Sequence, residues 1–349
     1  MAKRNRGAAG APQIINLALQ GGGAQGAFTW GVLDRLLEEE ALEIGRVSGS
    51  SAGALNGAAL LTGLARGGRE GAKQHLERLW AQVAMAATPM TLSLLPLRKP
   101  GMGMWDDAMP LFSPYQTNPL GMLALRTILM DVVDEDALRG ASAERALFVN
   151  AVAVQTGRHR VFGPEDISID ALLASGCAPL SFQAVQIDGQ AYWDGSYAAN
   201  PALWPLYKNN LDTDILLVEL TPVVREETPV SAKNIVNRIN ELASVFGLGS
   251  ELQALYIVNR SVDTADIRMH VLSIADQPAG KIATEPSIKR TVDRVLFEML
   301  RQDGRRACEA WLADNLEHVG RRASTDLLER YASPLPSPLI GRGAAVELL

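Results

Sequence analysis

A serine in a turn of small residues is the first candidate for chemistry in this chain. Residues 49–53 read Gly-Ser-Ser-Ala-Gly, which matches the pattern G-x-S-x-G with Ser51 at its centre. Val47 precedes the pattern and an Ala/Leu-rich stretch begins at Ala52, so the sequence predicts a short strand, a sharp turn and a helix. Such a turn pushes the hydroxyl out of the sheet and aims the positive end of the helix at it. The pattern therefore predicts a nucleophile whose reaction builds negative charge on an oxygen, although small-residue patterns also arise by chance in Ala/Gly-rich chains.

A serine nucleophile needs a base, and the four histidines do not offer an obvious one. None of them lies in a motif, so we expect them to be structural or surface residues: His75, His159, His270 and His318. Asp194 follows an apparent strand and precedes Gly195, and an aspartate can take the proton directly if burial raises its proton affinity. The same dipeptide is ordinary turn chemistry, which is how we interpret Asp188-Gly189.

A glycine-rich loop follows the first apolar run. Residues 21–26 read Gly-Gly-Gly-Ala-Gln-Gly, between a predicted strand over Ile14–Leu19 and a helical pattern. The loop matches the dinucleotide pattern G-x-G-x-x-G, but that pattern also requires an acidic residue about 20 positions on at a strand end. Glu38–Glu40 fall on the first helix instead, and Glu43 precedes the second strand. The other use of such a loop is an oxyanion hole made of exposed glycine amides.

The remaining periodicity predicts one α/β core with added helices. Residues 147–154, 215–218 and 267–274 are typical of buried strands, and 231–260 of a long helix with Ile235, Ile239, Leu242 and Phe246 at helical spacing. We expect that helix to pack on the sheet, or else to carry partner contacts. Residues 88–119 hold several prolines and methionines, so we expect no long helix there, and either a flexible apolar lid or a plug of the core.

We expect three parts along the chain: a disordered arm over 1–12, a single domain over 13–333 and a tail over 334–349. Lys3, Arg4 and Arg6 in the arm have no apolar segment behind them, which is not typical of a secretory signal but could attract anionic lipid.

Composition narrows the classes of function. Of 349 residues, 47% are hydrophobic and 21% charged, and no run approaches the ~18 apolar residues of a membrane span. The net charge of −6 argues against a nucleic-acid binder. Cys177 and Cys308 lack partners at metal-ligand spacing, so we expect core thiols, no metal site and a cytoplasmic protein, peripheral at the membrane at most.

Four segments, taken in order, resemble the patatin-like phospholipase family. They are Leu19–Ala27, Val47–Ala54, Ala174–Phe182 and Trp193–Pro201. The resemblance implies a three-layer α/β/α core with a mostly parallel central sheet and additional C-terminal helices. It also implies that Ser51 is the nucleophile and Asp194 the only base.

For the glycine loop, the resemblance implies an oxyanion hole made by the main-chain N–H groups of Gly21, Gly22, Gly23 and Ala24, with no metal or cofactor. Two positions depart from the family: Gln25 replaces a basic residue and Gln20 an acidic one. The implied substrate is a phospholipid or related acyl ester, and without a histidine we expect activity to rise above neutral pH. An acyl-lipid-binding or scaffold protein with weak catalysis and a nucleotide-binding domain stay as alternatives.

Overall fold

A computed structural model describes residues 11–94, 113–118, 120–225, 228–277 and 293–332 of the chain. Within these residues the strands form one eight-stranded sheet. The strands are β1 (Gln13–Leu19), β2 (Leu42–Ser50), β3 (Leu147–Ala153), β4 (His159–Phe162), β5 (Val185–Ile187), β6 (Gln190–Asp194), β7 (Asp212–Glu219) and β8 (Asp266–Ser273).

The sheet is parallel at its centre and antiparallel at one end. The strand order is β5-β6-β3-β2-β1-β7-β8, with β4 also paired to β3. Strands β3, β2, β1, β7 and β8 run parallel, whereas β6 and β4 run antiparallel to β3. The parallel strands are almost wholly buried, as expected of strands covered on both faces.

Helices cover both faces of the sheet. They are α1 (Gly26–Leu36), α2 (Ala52–Leu94), α3 (Pro114–Thr117), α4 (Leu123–Val132), α5 (Glu135–Arg139), α6 (Ile169–Ser175), α7 (Trp204–Tyr207), α8 (Ala232–Ser261) and α9 (Arg294–Asn315). The larger core cluster joins β1–β3 to α1, α2 and α9, and a second cluster joins β7 and β8 to α7 and α8 on the other face. This arrangement confirms the predicted mixed α/β fold with a mostly parallel sheet between helices.

The start of the Pro/Met-rich segment is helical, so the prediction of no long helix there is wrong for residues 88–94. Helix α2 bends at Gly67 and Gly68, as the glycine pair indicates, but then continues through Pro89 to Leu94. A proline removes one intrahelical hydrogen bond, and the apolar first turns of α2 anchor the helix well before that point. Most of the predicted lid or plug over 88–119 lies outside the described residues, as do residues 1–10 and 333–349.

Helix α8 exposes the face that we expected to be buried against the sheet. Ile235, Ile239 and Phe246, which were expected to pack on the sheet, are 42%, 59% and 67% exposed. The side facing the protein instead carries Leu248 and Leu252, together with polar residues in its first half. Both cysteines are buried, as predicted. Within the described residues, the search for a helix long and apolar enough to cross a bilayer found none.

Candidate active site

The turn between β2 and α2 holds Ser51 in a conformation that non-glycine residues rarely adopt. Its φ is 52°, its N–H donates to Ser175 Oγ at 2.9 Å, and its carbonyl accepts the Leu55 N–H at 3.1 Å. A Cβ on Gly53 would lie 2.1 Å from the Leu19 carbonyl oxygen, so only glycine lets α2 start this close to β1. The turn therefore presents a half-buried serine at the carboxyl edge of the sheet, in the way the small residues predicted.

Sheet register brings Asp194 to the same edge. Ser50 of β2 pairs with Asn150 of β3, and the next residue of β3, Ala151, pairs with Asp194 of β6. Ser51 and Asp194 thus flank one strand, about 10 Å apart across two strand spacings. The side chains narrow this gap, because the Ser51 hydroxyl lies close enough to the Asp194 carboxylate to lower its pKa.

The end of β6 lies unusually close to β3. A Cβ on Gly195 would lie 2.1 Å from the Asn150 carbonyl oxygen. This close approach requires a glycine after Asp194, which gives the Asp-Gly dipeptide a packing role in addition to its turn role. By contrast, Asp188 lies exposed in the turn between β5 and β6, as predicted for ordinary turn chemistry.

Burial raises the pKa of Asp194 above its ordinary value of 3.8. Asp194 is only 6% exposed. The shift is opposed by the Ser196 N–H, which donates to Oδ1 at 2.8 Å, and by the nearby hydroxyls of Ser51 and Ser196. The Asp194 N–H donates to the Cys177 carbonyl at 2.9 Å, which fixes the backbone beneath the carboxylate. The result is a carboxylate of increased basicity that is already in contact with a serine hydroxyl.

Cys177, next to Asp194, is not a competing nucleophile. Burial, helped by the negative charge of Asp194, raises the pKa of its thiol to about 12, so it stays protonated at neutral pH.

The glycine loop packs directly on the serine. A Cβ on Gly21 would lie 2.7 Å from Ser51 Cβ and 2.6 Å from Ser196 Oγ. The Gly21 N–H donates to Asn200 Oδ1 at 2.7 Å, so this amide is engaged. Gly22, Gly23 and Ala24 lie at the start of the short helix that leads into α1, where the first N–H groups have no intrahelical acceptor. Of the four predicted oxyanion donors, the Gly21 amide is therefore already paired, and the oxyanion role of the loop stays a prediction.

The two positions that depart from the family have different surroundings. Gln20 Oε1 accepts the N–H groups of Leu220 and Thr221 at 2.8 and 2.9 Å, so its amide joins the glycine loop to the end of β7. Gln25 is fully buried, with its Oε1 against Gly22. A neutral amide thus occupies the position beside the loop where the family has a cation.

Three residues that support the site were not predicted from the sequence. Ser175 holds the Ser51 backbone, Ser196 donates to Asp194, and Asn200 ties the glycine loop to the segment that follows Asp194. All three fall inside the segments that carried the family resemblance, but the direction of their side chains could not be seen in a pattern.

Among the described residues, none of the histidine hydrogen bonds is with Ser51 or Asp194. His75 contacts the Val132 carbonyl, His159 contacts Asn150, and His318 contacts Arg322. His270 is buried between Asp214 and Ser324. These contacts agree with the structural roles we expected for them.

The fold and this edge of the sheet define a class: a mixed α/β protein that presents a serine, a carboxylate and a glycine-rich loop at one edge of its sheet. Residues 17–207, more than half of the chain, match the sequence model of the family described as patatin-like phospholipase. The chain belongs to that family, and membership indicates a lipid hydrolase.

The chain was also compared with solved structures and with curated proteins. The crystal structure of VipD from Legionella pneumophila aligns with a TM-score of 0.41 and 12% identity, over 87% of this chain and 67% of VipD. A search of curated proteins found no match.

Proposed function

We propose that this protein is a serine lipid acyl hydrolase in which Ser51 is the nucleophile and Asp194 the base. The observation that carries the proposal is the close approach of the Ser51 hydroxyl to the buried Asp194 carboxylate. A raised pKa suits a carboxylate that must accept a proton from an alcohol. Because the two side chains already touch, no rearrangement is needed before attack.

The reaction would proceed in two halves. Asp194 takes the proton of Ser51 as Oγ attacks the ester carbonyl carbon, and the amides of Gly22, Gly23 and Ala24 donate to the resulting oxyanion. The tetrahedral intermediate collapses, and the leaving alcohol takes the proton from Asp194. Water then attacks the acyl-Ser51 carbonyl and gives a proton to Asp194. Release of the fatty acid returns that proton to Ser51.

The test is hydrolysis of a panel of phospholipids, lysophospholipids, glycerides and p-nitrophenyl esters by the wild type and by two variants. Ser51→Ala and Asp194→Asn should each lower kcat/KM by at least about 10³-fold with unchanged circular dichroism. Asp188→Asn is the matched control, since it changes an exposed aspartate that also precedes a glycine, and should leave turnover unchanged. Near-normal turnover in either site variant would refute the dyad.

Gln25 favours one alternative, an acyl-lipid-binding protein with weak catalysis. A buried amide replaces the cation that the family places beside the loop, so the oxyanion would receive less electrostatic support. A fluorophosphonate probe separates the two functions. Labelling of the wild type that is lost in Ser51→Ala supports the hydrolase, whereas lipid binding without labelling or turnover supports the alternative.

We also propose that the exposed stripe of α8, made of Ile235, Ile239 and Phe246, contacts the lipid surface that holds the substrate. The opposite side of α8 touches the segment after Asp194, since Ser244 Oγ donates to the Ser196 carbonyl at 3.1 Å and Tyr197 Oη donates to Asn240 Oδ1 at 3.0 Å. The stripe thus belongs to a helix attached to the site. The carboxylates of α8 point away from it, because Glu241 and Glu251 lie on the inner side.

Vesicles of phosphatidylcholine test this contact. The double variant Ile239→Asn/Phe246→Asn should reduce cosedimentation with vesicles at least tenfold and leave turnover of a water-soluble ester unchanged. Val295→Asn, which alters an equally exposed aliphatic residue on α9, is the control. Equal cosedimentation of the wild type and the double variant would refute the contact.

A further inference from the structure

An open cavity of about 480 Å³ lies away from Ser51 and contains a buried arginine. We call it the Arg46 cavity. Its walls come from β2, β3, the segment between them, the segment after β4 and the region of α7. The residues used below are Arg46, Ala143, Phe148, Glu165, Asp166, Trp204 and Lys208. The volume falls within the range of small-molecule sites.

Arg46 is a buried cation without a counter-charge. It is only 9% exposed, and within the described residues its side chain makes one hydrogen bond, from Nε to the Ala143 carbonyl at 2.8 Å. No carboxylate of the described residues lies within ion-pair distance of it, whereas the equally buried Arg268 pairs with Asp214. Arg46 lines the cavity, so its guanidinium can donate into it. Because an unpaired buried charge is costly, a buried guanidinium of this kind indicates a missing anion.

A second cation is held on the wall of the same cavity. Lys208 Nζ lies 5.5 Å from the centre of the Phe148 ring and 5.1 Å from the centre of the Trp204 ring. Contact with two rings restrains the ammonium, and no carboxylate in the described ranges forms an ion pair with it. The two rings, with Ala143 and its neighbours, also give the cavity an apolar surface.

The acidic residues at the rim leave this positive character in place. Asp166 is neutralised, since it accepts from Arg160 and from the Gly163 N–H. Glu165 is exposed and forms no ion pair among the described residues. It is therefore the one carboxylate of the described lining that would oppose an incoming anion.

We propose that the Arg46 cavity binds a small amphiphilic anion. Its carboxylate or phosphate contacts Arg46 and Lys208, and its alkyl part lies against Phe148 and Trp204. The guanidinium offers the paired donors that suit either group. A free fatty acid and an alkyl phosphate share this chemistry, and the binding measurements below separate them.

Isothermal titration calorimetry on Ser51→Ala protein tests the site without turnover of any ester. The probes are octanoate, octyl phosphate and the neutral 1-octanol. The anions should bind at least tenfold more tightly than octanol, and the tighter of the two identifies the preferred head group. Binding of octanol as tight as that of both anions overturns the proposal.

Three variants locate the binding. Arg46→Gln and Lys208→Gln should each weaken anion binding about tenfold, and Glu165→Gln should strengthen it because a repelling charge is removed. Lys208 is exposed, so we expect Lys208→Gln to fold and to give a binding measurement even if Arg46→Gln fails to fold. Arg145→Gln is the control, because Arg145 pairs with Glu43 and lines a different cavity. If the affinity for the anions is unchanged in both Lys208→Gln and Glu165→Gln, the anions bind outside the Arg46 cavity, and this result also overturns the proposal.

Discussion

A single methyl group at Gly21 should disable this protein without unfolding it. In Gly21→Ala the new Cβ would start 2.7 Å from Ser51 Cβ and 2.9 Å from the Ser50 carbonyl oxygen. Carbon atoms pack at about 3.5–4.0 Å, so Ser51 Cβ and the loop must separate by roughly 0.8–1.3 Å. The third close atom, Ser196 Oγ, can rotate away, but Ser51 cannot, since its backbone is held at φ 52° by the turn.

That displacement acts where the chemistry is most sensitive. A shift of about 1 Å in a positioned nucleophile can cost about 10²-fold in rate. We therefore expect kcat/KM for a p-nitrophenyl ester to fall about 100-fold, and fluorophosphonate labelling of Ser51 to slow by a similar factor. Stability should fall by about 1–3 kcal/mol, as for other overpacked sites, which leaves most of the protein folded.

Gly249→Ala is the matched control for this experiment. Gly249 lies inside α8 with open space where its Cβ would be, so alanine should keep full activity and stabilise the helix by up to about 1 kcal/mol. Thermal unfolding and ester turnover of both variants give the comparison. Wild-type kcat/KM in folded Gly21→Ala protein would show that the glycine loop does not have to approach Ser51, and the oxyanion role of the loop would lose its support.

Three further predictions concern the Asp194 carboxylate and the hydrogen bond from Gly21 to Asn200 that holds the glycine loop. As the pH falls through the raised pKa of Asp194, the carboxyl becomes protonated and can no longer accept a proton from Ser51. The pH profile of kcat/KM should therefore fall on the acid side with a midpoint above 3.8. A midpoint at or below 3.8 would contradict the effect of burial on this pKa. Because the folded protein binds this proton more tightly than the unfolded chain, the stability contributed by protonation is lost as the pH rises through the folded-state pKa. Asp194→Asn should therefore be more stable than the wild type at pH 7 and lose that advantage near pH 4, which urea unfolding at both pH values measures. In Asn200→Ala the buried Gly21 N–H loses its acceptor, so the free energy of unfolding should fall by about 1–3 kcal/mol. Ester turnover should fall with it. Unchanged turnover would mean that the glycine loop does not need this hydrogen bond for activity.

The local parts of the site could be read from the sequence. A tight turn of Gly, Ser and Ala between an apolar strand and an Ala/Leu-rich stretch leaves the backbone few choices, and the structure gives the expected strand, turn and helix around Ser51. The fold class could be predicted from similar local signals, because apolar runs typical of buried strands alternate along the chain with apolar residues at helical spacing. The roles of Ser51, Asp194 and the glycine loop in catalysis stay predictions.

The contact between Ser51 and Asp194 could not be derived from local signals. It depends on β6 running antiparallel to β3 in a register that pairs Asp194 with Ala151, and no local pattern in either strand specifies that register. The family resemblance supplied the pair. The supporting hydrogen bonds from Ser175 and Asn200 depend on the same long-range geometry, which is why residue types alone did not reveal them.

Helix α8 shows why periodicity predicts that a helix has an apolar face but not what covers that face. Its second half buries Leu248 and Leu252 against β7 and β8, as a surface helix normally does. Its first half lies over the polar segment after Asp194, where Ser244 bonds a carbonyl and Gly247 lies close to the Ala198 backbone. The inner side of that half is therefore polar, and Ile239 and Phe246 point outward because no apolar surface of the described protein lies beneath them. Covering the candidate active-site segment with a polar helix face thus leaves an apolar stripe outside, and the proposed lipid surface would cover that stripe and supply the substrate.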